Sequence, residues 1–252
     1  MSTFINHTNE IKKSKNCGLM KIIEYNGNRN IKVKFKTGSI IKTQYGAFKK
    51  GSVKDPLFPI VYGAGYLGIG KYKSKINGKA TIKYDTWHSM IQRCYDPYYI
   101  NKRLTYQDAA VCKFFLNFQN FAKWHREEYY ELIDEKVELD KDIIKKENKI
   151  YSPEFCSFVP QSINNLLTKC DKVRGEYPIG VCFEKRSNKY RSQIQINGKS
   201  KHLGLFSTPT EAFQSYKCAK KKQIKVMANK YKNVLDIRVY DSLMDYNVEI
   251  TD

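Results

Sequence analysis

Arg191, Gln193 and Gln195 alternate with Tyr190, Ser192, Ile194 and Ile196. On an extended chain successive side chains leave opposite faces, so the three polar groups share one face and the mostly apolar set takes the other. The apolar face must pack on a neighbouring helix, which leaves Arg191, Gln193 and Gln195 to solvent. Arg186 and Lys189 sit at the turn before this strand. On the next strand an inward Leu203 puts His202 outward. Guanidinium, amide and imidazole groups in a row can meet base edges bidentately and phosphates by charge. The expected face is basic and amide-rich and carries no acid.

A second alternation lies near the start of the chain. Ile31, Val33 and Phe35 interleave with Lys32, Lys34 and Lys36, which suits an apolar inner face and a lysine face able to contact phosphates. A third segment, 136–169, concentrates polar groups that could do chemistry. Val137 to Asp142 reads as a strand, Lys145 to Tyr151 as a polar loop, Phe155 to Val159 as a short strand, and Pro160 opens a helix over Gln161 to Leu167. The glycine-rich run Tyr62 to Gly70 lacks the G-K-[ST] of a phosphate-binding loop and the spacing of a dinucleotide fingerprint. It reads as an extended connection with tight turns.

The elements that must carry these residues come from 252 residues with 41% apolar and 13% aromatic side chains, enough for real cores. Lys and Arg number 45 against 25 Asp and Glu, a formal net charge of +20 that points to a polyanionic partner. Residues 1–60 hold 12 basic and 3 acidic groups, 61–170 hold 17 and 13, 171–232 hold 15 and 4, and 233–252 hold 1 and 5. No apolar run spans a membrane and Met1 to Glu10 is polar, so neither a membrane segment nor a secretory leader is expected. Seven scattered cysteines without a C-x-x-C pair read as reduced, small core residues.

The expected organisation is α+β. A flexible leader covers 1–19, a small basic β module 20–56, and a helical and ββα region 57–170. A three-stranded antiparallel sheet backed by a helix covers 175–232, and an acidic tail 233–252. In the middle region Asp85 or Thr86 caps a helix carrying Trp87, Met90, Ile91 and Cys94. A second helix carries Phe114, Phe118, Phe121, Ala122 and Trp124. In the C-terminal module Asn197-Gly198 closes a hairpin, and Thr208-Pro209-Thr210-Glu211 caps the helix. Tyr72 to Lys79 faintly echoes Tyr190 to Lys199.

Residues 177–232 resemble the plant ethylene-response-factor (Apetala-type) DNA-binding domain, as it also occurs in phage and bacterial mobile elements. The stretches that carry this are Gly180-Val181-x-Phe183, Lys189-Tyr190-Arg191-x-Gln193-Ile194, Lys201-His202-Leu203-Gly204-x-Phe206 and Thr208-Pro209-x-Glu211-Ala212. The resemblance implies a sheet lying on the DNA major groove. Where plant members place further arginines on the first strand, this chain has Cys182 and Glu184.

Residues 136–169 resemble the HNH (ββα-metal) nuclease motif, joined to an upstream Trp87-x-x-Met90-x-x-Arg93-Cys94 region. That resemblance implies Asp140 and Asn164 or Asn165 as ligands of one magnesium or manganese ion. Lys141 stands where the general-base His belongs, and Phe155 where a loop Asn belongs. A charged Lys cannot accept a proton, so it would act as a charge stabiliser at the scissile phosphate. A base would have to come from His88 or His125. Residues 20–56 are similar to the small basic module that precedes such regions in phage proteins.

Together the resemblances imply a phage or mobile-element protein of the bacterial cytoplasm that acts on double-stranded DNA as a homing-type endonuclease. The alternative is a non-catalytic DNA-binding regulator with no cofactor. RNA is kept open by charge alone, without an RNP-type motif or a GXXG loop. A homodimer is also open.

Overall fold

The computed structural model describes residues 5–168, 176–196 and 198–250. The fold is α+β, in two compact units: residues 1–127 with 149–152, and residues 128–148 with 153–252.

The first unit begins with a four-stranded antiparallel sheet, β1 (Ile11–Ser14), β2 (Gly18–Tyr25), β3 (Ile31–Phe35) and β4 (Ile40–Thr43), in that order. Met20, Ile22, Ile31, Val33 and Phe35 form its inner face, closed by Cys17, Val53 and Phe48 of the short helix α1 (Tyr45–Lys49). Gly51, at positive φ, ends α1 as the sequence suggests. The leader expected over 1–19 instead holds β1, with Ser14 buried and its hydroxyl donating to the Val53 carbonyl at 2.9 Å. Lys12 and Lys13 hide this strand in the sequence because only one side of it is covered. Buried Asp55 fastens the module, accepting from the Thr37 and Ser39 hydroxyls at 2.6 Å each.

Beyond a small hairpin, β5 (Lys75–Ile76) and β6 (Lys79–Ala80), runs helix α2 (Ile82–Tyr95). Its cap is Thr81, whose hydroxyl accepts from Tyr84 N, rather than Asp85 or Thr86. The helix therefore starts earlier than its apolar stripe, although Trp87, Met90, Ile91 and Cys94 are buried as expected. Helix α3 (Pro97–Lys102) and strand β7 (Ala110–Val111) follow. The single aromatic helix expected next is two, α4 (Lys113–Leu116) and α5 (Phe118–Glu128). Asn117 between them is extended because it bridges Tyr66: Tyr66 N donates to Leu116 O, and Phe118 N to Tyr66 O. Phe114 is left 46% exposed, while Phe118 packs on Trp87, and Phe115, Phe121 and Trp124 pack with one another.

In the second unit β8 (Val137–Asp140) pairs antiparallel with β10 (Ser157–Pro160), and helix α6 (Gln161–Leu167) follows at once. Between them in sequence, β9 (Ile150–Tyr151) belongs to the first unit, parallel to β7. The expected strand, loop, strand, helix order holds, with the second strand two residues later than its apolar run suggests.

A three-stranded antiparallel sheet, β11 (Val181–Glu184), β12 (Lys189–Ile196) and β13 (Lys199–Phe206), is backed by the 22-residue helix α7 (Pro209–Lys230). Thr208 and Glu211 form a complete capping box. Within the acidic tail a helix forms, α8 (Ile237–Met244), which buries Val239 and Leu243. They join one core with Val159, Ile163, Ile194, Phe213, Tyr216, Ile224 and Ala228. The ββα segment and the C-terminal sheet thus share a core through α7. The division falls at 127/128, not near residue 170, because Val159 and Ile163 need the cover that α7 and α8 supply. Cys17, Cys94 and Cys156 are buried, but Cys218 is exposed on α7. Cys170 lies outside the described residues. Among the described residues no helix is long and apolar enough to cross a membrane.

Candidate nucleic-acid interface

The alternation on β12 has the consequence expected of it. Ser192 and Ile194 are buried against α7, Arg191 and Gln193 are half-buried, and Gln195 is exposed. Gly180, at positive φ just before β11, makes this packing possible: a β-carbon there would overlap the Tyr216 ring of α7. Register places Gln193 opposite His202 and Gln195 opposite Ser200, so these four share the solvent face. A bulge between Ser192 and Gln193 leaves Leu203 as the extra residue on β13, and Gly204 adopts φ +144° beside it. His202, Lys199 and Lys201 are exposed along β13, and Arg186 and Lys189 are exposed at the β11–β12 turn.

The face is not free of acid. Cys182 and Glu184 lie opposite Arg191 and Lys189. Arg191 Nε donates to Cys182 Sγ at 3.4 Å, and its Nη1 lies 3.8 Å from Glu184 Oε1. These contacts raise the guanidinium pKa further, the thiol first and Glu184 last, so Arg191 is always charged. They hold its stem along the sheet and leave part of its donor fork outward. Sequence reasoning named Cys182 and Glu184 as first-strand residues but missed their pairing with Arg191, which follows only from β11–β12 register. It also passed over Lys199 and Lys201, which flank the hairpin turn. Asn197 of that turn lies outside the described residues, while Gly198 has the positive φ the turn requires.

On the N-terminal sheet Lys34 is exposed and Lys32 half-buried. Lys32 Nζ pairs with Glu24 at 2.6 Å and holds that carboxylate below its ordinary pKa. Lys36 lies in the turn after β3, exposed. The outer face also carries exposed Ile11, Leu19, Ile23 and Ile40, so it is mixed rather than a lysine face.

The residues of the ββα segment are placed as follows. Asp140 Oδ1 accepts from the backbone amides of Asp142 and Ile143 at 2.7 and 2.8 Å. Burial of the carboxyl raises its pKa, and the two amides only partly offset this. Lys141 is 5% exposed, and its ammonium donates to Asp142 Oδ1 and to the Asn148 carbonyl at 2.8 Å. Asn148 Nδ2 returns a bond to Lys141 O at 2.9 Å. Lys141 thus clamps the 141–148 loop from inside, and this burial is at odds with the expected contact to a scissile phosphate.

Asn164 Nδ2 donates to Glu138 Oε2 at 2.6 Å, and Gln161 Nε2 to Glu138 Oε1 at 3.1 Å. Asn165 is exposed. Asp140 makes no hydrogen bond with Asn164 or Asn165, and among the described residues no group of three His, Cys, Asp or Glu side chains could hold a metal ion. Glu138, the carboxylate that does meet the helix, went unnoticed, although it shares a strand face with Asp140 at i, i+2. The candidate bases lie in the first unit. His88 packs with Tyr62 and Tyr84, and His125 is buried beside Phe121, where burial foremost lowers its pKa to about 4. The second unit's own histidine is His202.

Against protein-family models, curated proteins and solved structures, the chain finds no match.

Proposed function

We propose that the protein binds double-stranded DNA without cutting it, reading sequence with the solvent face of β11–β13. One observation carries this reading. Arg191, Gln193, Gln195 and His202 stand together on one face of a sheet, with Arg186 and Lys189 beside them and Glu184 as the one acid of its strands. Bidentate donors and acceptors on a flat platform suit base edges in a major groove, and the surrounding cations suit phosphates. The Apetala-type resemblance points the same way, and a phage or mobile-element regulator is the role it suggests.

The test is a selection of duplex sequences by the full chain, followed by titration of the chosen site. Replacing Arg191 and Gln193 together by Ala should flatten the preference between chosen and random duplex while leaving thermal unfolding unchanged. An unaltered preference would defeat the reading. Ile194→Ala should instead destabilise by about 2–5 kcal/mol as a core truncation.

A second reading, metal-dependent phosphodiester cleavage, is favoured by the β8–β10–α6 layout with Asp140 at the end of β8 and Asn164 and Asn165 on α6. Supercoiled-plasmid nicking with magnesium or manganese separates the two. The binder reading expects no nicking by the wild type, and nicking that Asp140→Ala abolishes would favour the nuclease.

A further inference from the structure

From Asp55 to Asp85 the chain carries five lysines and no acid between those two residues. Lys71, Lys73, Lys75 and Lys79 of this run are all exposed, and among the described residues none of the four takes part in an ion pair. This contrasts with Lys32, whose charge is spent on Glu24.

The backbone that holds them is fixed. Lys75 pairs with Ala80 and Ile76 with Lys79 across a two-residue turn, Asn77-Gly78, in which both residues have positive φ. Thr81 ties the base of the hairpin down, its amide donating to Ser74 O at 3.0 Å and its hydroxyl to Lys73 O at 3.2 Å, while it also caps α2. Gln119 holds the segment just before β5: Nε2 donates to Tyr72 O at 2.9 Å, and Oε1 accepts from Tyr72 N at 2.9 Å. Beside it runs a groove of roughly 410 Å³ past Gly68, Gly70, Lys73 and Lys75. A β-carbon at Gly68 would overlap the Asn117 amide, and one at Gly70 the Gln119 side chain, so this wall presents bare backbone. Ile76, at the turn, is 57% exposed.

A hairpin with two-residue strands has no core of its own, yet this one is anchored at its base and covered with unpaired charge. We infer that the β5–β6 hairpin and its groove form a second DNA contact, in which Lys71, Lys73, Lys75 and Lys79 grip the phosphate backbone and Ile76 presses against the sugar edge. The inference rests on the DNA-binding reading. The faint likeness of Tyr72–Lys79 to Tyr190–Lys199 then has a physical sense: each is a basic hairpin that ends in Asn-Gly in sequence.

The experiment uses the full chain with all four lysines changed to Gln, titrated against duplex DNA over a range of salt. Every phosphate that is no longer neutralised should flatten the log–log salt slope by about 0.9, so the slope should shallow by roughly 2–4 units and low-salt affinity fall at least tenfold, with sequence preference retained. In parallel, lysine acetylation of the wild type should show these four residues protected by saturating duplex, a readout that does not depend on how the variant folds. Unchanged slope and unprotected lysines, beside an Arg191→Ala, Gln193→Ala variant that does lose preference, would overturn this contact and leave the binding reading standing. No duplex binding by the wild type, or protection by single-stranded RNA alone, would overturn both.

Discussion

Asp140 accepts both of its hydrogen bonds on one oxygen, from the amides of Asp142 and Ile143, at the start of the loop that Lys141 clamps from inside. Its raised pKa means that the folded state holds this proton more tightly than the unfolded chain does. A group of this kind gives its stability below the unfolded value, and that contribution is lost as pH rises through the folded value. Asp140→Asn keeps the accepting oxygen and cannot ionise. The variant should therefore unfold at a higher temperature than wild type at pH 7, with the gap closing as pH is lowered towards 4. A melting temperature that drops at pH 7 would instead show that the ionised carboxylate is needed. The sequence displayed Asp140, Lys141, Asn164 and Asn165 but not which partners they would take. Whether Asn164 faces Asp140 or Glu138 depends on how a helix sits over a two-stranded ribbon, and no local spacing encodes that. On β12 the opposite holds, because strict alternation plus one buried face leaves a single orientation for Arg191 and Gln193.

At the scale of elements, Gly180 decides how closely β11 approaches α7. Gly180→Ala places a methyl into the Tyr216 ring and also forces a positive φ on a residue with a β-carbon. Overpacking and backbone strain together should cost about 3–5 kcal/mol, seen as a fall of roughly 6 °C or more in thermal unfolding. Unfolding indistinguishable from wild type would mean that the close approach is not as described. The elements that sequence pattern missed have a common cause. In 233–252 the net negative charge outweighed a plain helical stripe, Leu235, Val239 and Leu243 at steps of four, all of which are buried. In β1 two lysines masked a strand that buries only Ser14. The break at Asn117 was invisible for a different reason, since the partner that straightens it, Tyr66, lies 51 residues earlier. Capping chemistry, by contrast, is local, and Thr208 with Glu211 could be read directly.

For the whole molecule the decisive quantity is how much of the +20 formal charge remains free to meet a polyanion. Some is spent internally: Lys32 on Glu24, Lys141 on its own loop, and Arg238 on Asp236. Long acid-free stretches remain, from Asp55 to Asp85 in the first unit and from Glu184 to Glu211 and Glu211 to Asp236 in the second. Exposed Lys222 and Lys225 on α7 add to the second unit. Coarse counting assigned residues 61–170 a near balance and so hid the first of these stretches behind the acids that follow it. If both units contact duplex, the counterions released should number at least five or so, and binding to random-sequence DNA should weaken with a log–log salt slope of about −4 or steeper. Fluorescence anisotropy of a labelled duplex between low and moderate salt measures it. A slope shallower than about −2 would mean that at most two phosphates are neutralised. Nearly all of this charge would then be ordinary solvated surface, and the preference carried by β12 would have to rest on base contacts alone.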